Sequence, residues 1–378
     1  MFDVLLSIAI SFTITFLAIP AVINVAEMKK LFDMPDARKV HNAPITPLGG
    51  LGIFAGFIFG CLLTLHFNQY AELQYFMAAS FVIFFLGLKD DILIISPVKK
   101  FIGQVLAAFI IIYYGNVQIR SMHGFLGIYQ VPEMFSLLLT YFAVIVVINS
   151  FNLIDGIDGL AGSLGLLSTT IFGSYFLYVG MLPYAVIAFA LSGSLLAFLI
   201  FNFQPAKIFM GDTGSLLVGT INAILVLKFI NIAGSGDVRF PIPATPAVGF
   251  TILMIPLLDT LRVFGIRILH RRSPFSPDRN HIHHLLLDRG FSHRTITLLL
   301  VAVNAVMIAL VFMARSVNCT ILLFGIFALF FAMIAGIYYL MPAPRLFVAK
   351  SAKEENAQLT KASHLVPLTK DSILEQNN

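Results

Sequence analysis

Apolar runs of about twenty residues recur from the N-terminus to about residue 341. Each is long enough to cross the roughly 30 Å hydrocarbon core of a bilayer as a helix. In lipid every backbone N–H and C=O must be satisfied within the protein, so such runs are expected as packed helices. Only 11% of the 378 residues are charged and 58% are hydrophobic, against roughly 25% charged in a soluble domain. That balance excludes a soluble fold. The first run, Val4 to Val25, has neither a basic leader nor a small-residue cleavage pattern, and it is read as the first span rather than a removable signal.

The predicted architecture is an all-α polytopic membrane protein of about eleven transmembrane helices. They fall near 3–25, 48–66, 72–88, 98–114, 133–151, 159–179, 182–201, 214–232, 244–268, 293–314 and 319–341. An odd number puts the termini on opposite sides, and the basic residues choose between them. Of the 24 Lys and Arg, all but Arg120, Lys228, Arg239 and Arg315 fall on one side, which is therefore cytoplasmic. The N-terminus is expected outside and the C-terminus inside. The net charge of +5 has this topological explanation, and no nucleic-acid partner is expected. Residues 1–341 form a membrane catalytic domain and 342–378 a polar, unstructured cytoplasmic tail. Cys61 and Cys319 are far apart, with no metal-ligand spacing. Neither a repeat nor a matched pair of broken helices of the transporter kind is apparent.

Acidic and histidine-bearing segments gather at helix ends on the expected cytoplasmic side. Asp90 and Asp91 follow the third span; alone, they would read as an ordinary polar cap. Asn149-Ser-Phe-Asn152-Leu-Ile-Asp155-Gly-Ile-Asp158-Gly spaces Asn152, Asp155 and Asp158 by three, so a helix or tight turns would turn them to one face, with Gly156 and Gly159 allowing close approach. Two Asp-Gly turns would be the plain alternative. Asn202 to Ser215 closes one span and opens the next. There Asp212 sits at a helix N-terminus suited to anions, between Gly211 and Gly214, and Lys207 suits a phosphate better than a cap does. The last loop carries Asp278, Arg279, Asn280, His281, His283 and His284. It lacks a thiolate or a zincin spacing, and arginine with histidine fits a diphosphate better than zinc. Carboxylates, amides, glycines at helix ends and a cationic loop together make an inventory for phosphoryl transfer. Hard oxygen ligands point to Mg²⁺ or Mn²⁺.

Asp90-Asp91, Asn149-Ser-Phe-Asn-Leu-Ile-Asp-Gly-Ile-Asp-Gly-Leu-Ala, Phe209-Met-Gly-Asp-Thr-Gly-Ser and His281-Ile-His-His, in this order over roughly residues 1–340, resemble the polyprenyl-phosphate N-acetylhexosamine-1-phosphate transferases of glycosyltransferase family 4. The chain is more similar to the bacterial GlcNAc-1-phosphate branch than to the phospho-MurNAc-pentapeptide branch, because Ile282 interrupts the histidines and Ile94 lies where that branch has a lysine. The resemblance implies transfer of GlcNAc-1-phosphate from UDP-GlcNAc to undecaprenyl phosphate with release of UMP, the first membrane step of a cell-surface polysaccharide. It implies a plasma (inner) membrane location with a cytoplasmic site, and it leaves room for a homodimer.

By the same resemblance Asp212 is a magnesium ligand with Asp91 close to the metal, and Asp90 deprotonates the lipid phosphate. Asn152, Asp155 and Asp158 lie near nucleotide and diphosphate, and His283 and His284 near diphosphate and sugar. The catalytic set expected is Asp90, Asp91, Asp155, Asp158 and His283. Asn202, Lys207, Arg279 and His281 are expected beside Asn152 and His284 as substrate contacts. Arg38, Lys39, His41 and Pro47 to Gly50 match a weaker N-terminal pattern whose role stays open. Two other classes compete. An ion-coupled transporter would hold its carboxylates near the bilayer midplane. A CDP-alcohol phosphotransferase would need an Arg and two further aspartates that are missing after Asp158.

Overall fold

The computed structural model describes residues 1–31, 45–271 and 280–340. Arg38, Lys39, His41, Arg279 and the tail at 342–378 lie outside the described residues. Thirteen α-helices are found among those described: α1 Phe2–Lys29, α2 Gly49–Thr64, α3 Glu72–Ile92, α4 Pro97–Phe109, α5 Glu133–Ile154, α6 Leu160–Tyr178, α7 Leu182–Asn202, α8 Gly211–Ala233, α9 Thr245–Ile252, α10 Met254–Leu269, α11 Ile282–Leu287, α12 His293–Met313 and α13 Cys319–Leu340. A wider π turn, Ile110–Tyr114, prolongs α4. Eight helical stretches are long and apolar enough to cross a membrane: α1, α4 with its π turn, α5 to α8, α12 and α13. The shorter α2, the charged-ended α3 and the α9–α10 pair occupy the other three expected spans.

The span expected at 244–268 is broken at Leu253, between α9 and α10. Pro256 has no N–H to offer the carbonyl of Ile252 four residues back. Asn304 of α12, buried among apolar side chains, donates its Nδ2 to that Ile252 carbonyl at 3.0 Å. The carbonyl freed by the break is thus met at membrane depth, while Oδ1 of the same Asn304 amide has no hydrogen-bond partner.

A further departure from an all-helical chain is a small antiparallel hairpin, β1 Ser121–Phe125 with β2 Ile128–Gln130. Leu126 and Gly127 at its tip both have positive φ, 50° and 78°, as a two-residue hairpin turn requires. Strands of five and three residues are too short to leave a periodic signal in an apolar chain.

Helices α3 and α8 run antiparallel at the centre. The end of α3 meets the start of α8 through Asp91 and Asp212, and the start of α3 meets the end of α8 through Glu72 and Lys228 at 3.8 Å. At about 1.5 Å rise per residue, Asp212 and Lys228 lie roughly 24 Å apart along α8. Gly87 lets the two backbones touch, since a Cβ there would fall 2.5 Å from Thr213 Cα.

Candidate active site

The chemistry-bearing residues of five segments converge at the end of the bundle where α3 stops and α8 starts. Lys100, one turn into α4, makes the centre. Its ammonium bonds Asp212 Oδ2 and lies 3.2 Å from Asp90 Oδ2 and 3.3 Å from Asn152 Oδ1. Asn152 in turn donates its Nδ2 to Asp212 Oδ1 at 2.7 Å and to Ser215 Oγ at 3.0 Å. Asp90 also accepts the backbone N–H of Ile95 at 2.8 Å, which turns the chain from α3 into α4.

Asp91 has another set of partners. Its Oδ1 accepts the N–H of Asp212 at 2.7 Å, and its Oδ2 accepts the N–H and hydroxyl of Thr213 at 2.9 and 2.5 Å. It therefore caps α8 from a different helix, setting a full negative charge on the positive end of the α8 dipole. Gly211, with φ of 68°, permits this approach: a Cβ there would lie 2.7 Å from Asp91 Oδ1 and 2.0 Å from the Pro47 carbonyl. The Pro47–Gly50 turn braces the same segment. Phe209 N–H bonds the Thr46 carbonyl, and the amides of Gly49 and Gly50 bond the carbonyls of Phe209 and Met210, each at 2.9 Å.

The Asp-Gly-Ile-Asp-Gly turn links α5 to α6. Asp155 is half-buried facing the carboxylates of Asp212, Asp91 and Asp158, and its pKa is pushed up to about 8, first by burial and then by those charges. Asp158 ties the turn to two neighbours, with His293 Nδ1 at 3.3 Å and the Ala206 N–H at 3.3 Å. Asn202 spends both ends of its amide inside the protein, accepting from the Gly159 N–H at 2.9 Å and donating to the Ile208 carbonyl at 2.8 Å. Lys207 is exposed.

The histidine segment is fastened from α10. Asp259, fully buried, accepts Arg262 Nη2 at 2.8 Å and the Ile282 N–H at 2.9 Å, and it lies 2.8 Å from His281 Nδ1. Arg262 also bonds the Asn280 carbonyl. His283, buried, faces Gly156: its Nε2 would lie 2.2 Å from a Cβ at that position, and its Nδ1 has no partner. Its ring lies 4.3 Å from that of His284, and its pKa falls to about 3, chiefly by burial and then by the charge of His284.

A cavity of about 230 Å³ opens beside the Lys100 cluster, lined by Asp90, Lys100, Gln104, Asn149, Asn152 and Arg267 among others. Gln104 and Asn149 pair amide to amide across it, at 2.8 and 3.3 Å. Sequence reasoning missed two members of this site. Lys100 registered only as positive charge near a span end. Asp259 carried a stronger signal, an aspartate within an apolar run with Arg262 three residues on.

Among the described residues no three histidine, cysteine or acidic side chains gather as a metal-binding group. The cluster nevertheless has the chemistry of a cation site, since Asp90 and Asp212 turn their oxygens to one ammonium. All the oxygen donors there are hard, and Mg²⁺ commonly takes one or two protein carboxylates and completes its shell with water and substrate phosphate.

The glycosyl transferase family 4 model matches residues 73–230, which include every member of the Lys100 cluster. The undecaprenyl-phosphate alpha-N-acetylglucosaminyl 1-phosphate transferase of Escherichia coli O157:H7 is 33% identical over 276 residues, 72% of this chain and 73% of the relative. Its namesake in Yersinia pestis is 32% identical over 286 residues, 74% and 76% of the two chains. The decaprenyl-phosphate N-acetylglucosaminephosphotransferase of Mycobacterium leprae is 34% identical over 312 residues, 76% and 77%. The helical membrane architecture, the clustered carboxylates and this similarity over most of the chain make the protein a member of glycosyl transferase family 4, the membrane enzymes that transfer a sugar-1-phosphate to a polyprenyl phosphate.

Proposed function

We propose that the chain transfers GlcNAc-1-phosphate from UDP-GlcNAc to undecaprenyl phosphate and releases UMP, at the cytoplasmic face of the plasma membrane. The observation that carries this reading is the Asp90–Lys100–Asp212–Asn152 cluster at a helix end, in a chain whose relatives bear that activity in their names. A lipid phosphate stays at the membrane surface and a nucleotide sugar stays in water, so their meeting place is where helices end. A transporter would keep such carboxylates near the midplane.

Asp212 is the residue best suited to hold Mg²⁺, with Asp91 fixing its backbone and Asn152 its side chain. When bound, the ion supplies Lewis-acid neutralisation of the repulsion between two phosphate groups. Lys100 is placed to meet phosphate oxygens once it leaves the carboxylates. Asp90, which shares that ammonium and lies against the Asp212 carboxylate, is placed to accept the proton of the lipid phosphate. Asp155 and the neutral, partnerless Nδ1 of His283 offer hydrogen bonds near the Asp-Gly turn. An apolar cavity of about 240 Å³ between α5 and the α9–α10 break, lined by Val146, Phe250 and Leu257 among others, suits a prenyl chain.

Purified protein should release UMP from UDP-GlcNAc only when undecaprenyl phosphate and Mg²⁺ are present. Comparable turnover of UDP-glucose would refute the donor assignment, since a site built around an N-acetyl group leaves polar partners unpaired without it. Turnover of UDP-MurNAc-pentapeptide would put the chain in the muropeptide branch.

A further inference from the structure

At the helix ends opposite the carboxylates lies a cavity of about 1380 Å³, walled by the β1–β2 hairpin and its approaches, the starts of α5 and α13 and the end of α8. It exceeds the roughly 300–1,000 Å³ of ordinary small-molecule pockets. Its walls mix amides and hydroxyls, Gln118, Gln130, Asn231 and Ser235 among them, with apolar side chains such as Met181 and Ile232, and Tyr70 and Tyr129 offer aromatic faces. The charges close to balance. Lys228 faces Glu72 at 3.8 Å and lies over the rings of Phe76 and Tyr184, at 5.6 and 5.1 Å. Arg120 on the wall is offset by Glu133. Ser136, in the first turn of α5, is 1% exposed and lines the cavity, yet its Oγ has no hydrogen-bond partner. A buried hydroxyl of that kind is ordinarily satisfied by an ordered water or by a group that binds there.

We propose that this cavity is a second binding site, for a neutral saccharide of several units. An anion would need uncompensated cations, and Lys228 already has a carboxylate beside it. An apolar ligand would strand the amides. A neutral, hydroxyl-rich chain meets both demands: its hydroxyls bond the amides and Ser136, and its ring faces stack on tyrosine, which presents a large rigid apolar surface with a polar tip. The site is some 24 Å from the transferase cluster along α8, and it stands whether or not the donor assignment is right.

The test is hydrogen exchange read by mass spectrometry on the full chain in lipid nanodiscs, titrated with chitotetraose and, separately, with inorganic phosphate. Chitotetraose should slow exchange in segments 116–131 and 231–238, and phosphate should not. Ser136→Ala and Tyr129→Ala should each raise the saccharide midpoint about fivefold, the ratio that one lost contact of about 1 kcal/mol gives. Ser136→Ala removes a partnerless hydroxyl, so it should fold as the parent does. No slowing in those segments up to the solubility limit, equal slowing by phosphate, or an unchanged midpoint in both variants would overturn the proposal.

Discussion

Asp91 Oδ1 accepts the backbone N–H of Asp212 at 2.7 Å, so two aspartates that a metal would draw together are already joined through the main chain of one and the side chain of the other. The carboxylate of Asp91 holds the first turn of α8 and thereby aims the side chain of Asp212 at Lys100. Asp91→Ala would leave two amides and the Thr213 hydroxyl without their acceptor. It should lower stability by about 1–3 kcal/mol, as loss of a cap with buried donors does, and activity should fall with it. Asp91→Asn keeps one acceptor and should retain more of both. Thermal unfolding in detergent, read beside UMP release, checks the order wild type, Asn, Ala.

Lys100 neutralises two carboxylates at once. Lys100→Ala should therefore make the melting temperature rise with millimolar Mg²⁺ more than it does in wild type, because Asp90 and Asp212 then lack a counter-charge. Transfer should drop by about 100-fold or more, the usual scale for removing one electrostatic contact in an active site. Asp212→Asn should stay folded and lose transfer by orders of magnitude, with high Mg²⁺ restoring little. Near-normal turnover of Asp212→Asn at low Mg²⁺ would reduce Asp212 to a helix cap.

Asp155 and His283 set opposite limbs of the pH profile. Asp155 binds its proton more tightly folded, with a pKa near 8 against the ordinary 3.8; the stability this gives is complete below about pH 4 and is lost as pH rises through 8. His283 binds its proton less tightly folded, near 3 against 6.5. Its contribution is present above 6.5 and is lost as pH falls towards 3. Melting temperatures measured from pH 4 to 9 should fall on the alkaline side in wild type. In Asp155→Asn that alkaline fall should flatten.

Asp259 and Arg262 form a buried pair, 1% and 5% exposed at their side chains, that carries the histidine segment. Asp259→Ala strands the arginine and should cost about 3–5 kcal/mol. Replacing both with leucine should recover much of that stability. It should not recover transfer, because His281 and the Ile282 amide lose the acceptor that places them. Recovery of transfer in the double variant would show that the pair serves the fold alone.

Cysteines introduced at Ser96 and Asn280 should react with impermeant thiol reagents only from the cytoplasm, and one at Tyr129 only from outside. Labelling of Ser96→Cys from outside would invert the assigned topology.

The apolar runs were legible because bilayer thickness fixes their length; helices occupy them, and eight helical stretches among the described residues are long and apolar enough to cross a membrane. The break at Leu253 was less so: Pro256 announces it, but the acceptor of the freed carbonyl, Asn304, is 52 residues away. The motif segments from Asp90 to Asp212 come together in the fold, but their spacing alone does not say which partner each carboxylate meets. Asp91 and Asp212 differ because one points at helix N–H groups and the other at an ammonium, and that depends on how α3 packs on α8. Lys100 and Asp259 escaped for the same reason, since their partners lie on other helices.

The contact at Gly87 gives this packing a further meaning. With hydrogen in place of a methyl group, the backbones of α3 and α8 lie against each other, and the gap between Asp90 and Asp212 is fixed by what residue 87 lacks. A graded series of side chains there, from glycine through alanine to valine, would act as a set of shims. Each step would part the two helices that carry those carboxylates by a fraction of an ångström, while every side chain of the Lys100 cluster stayed in the chain.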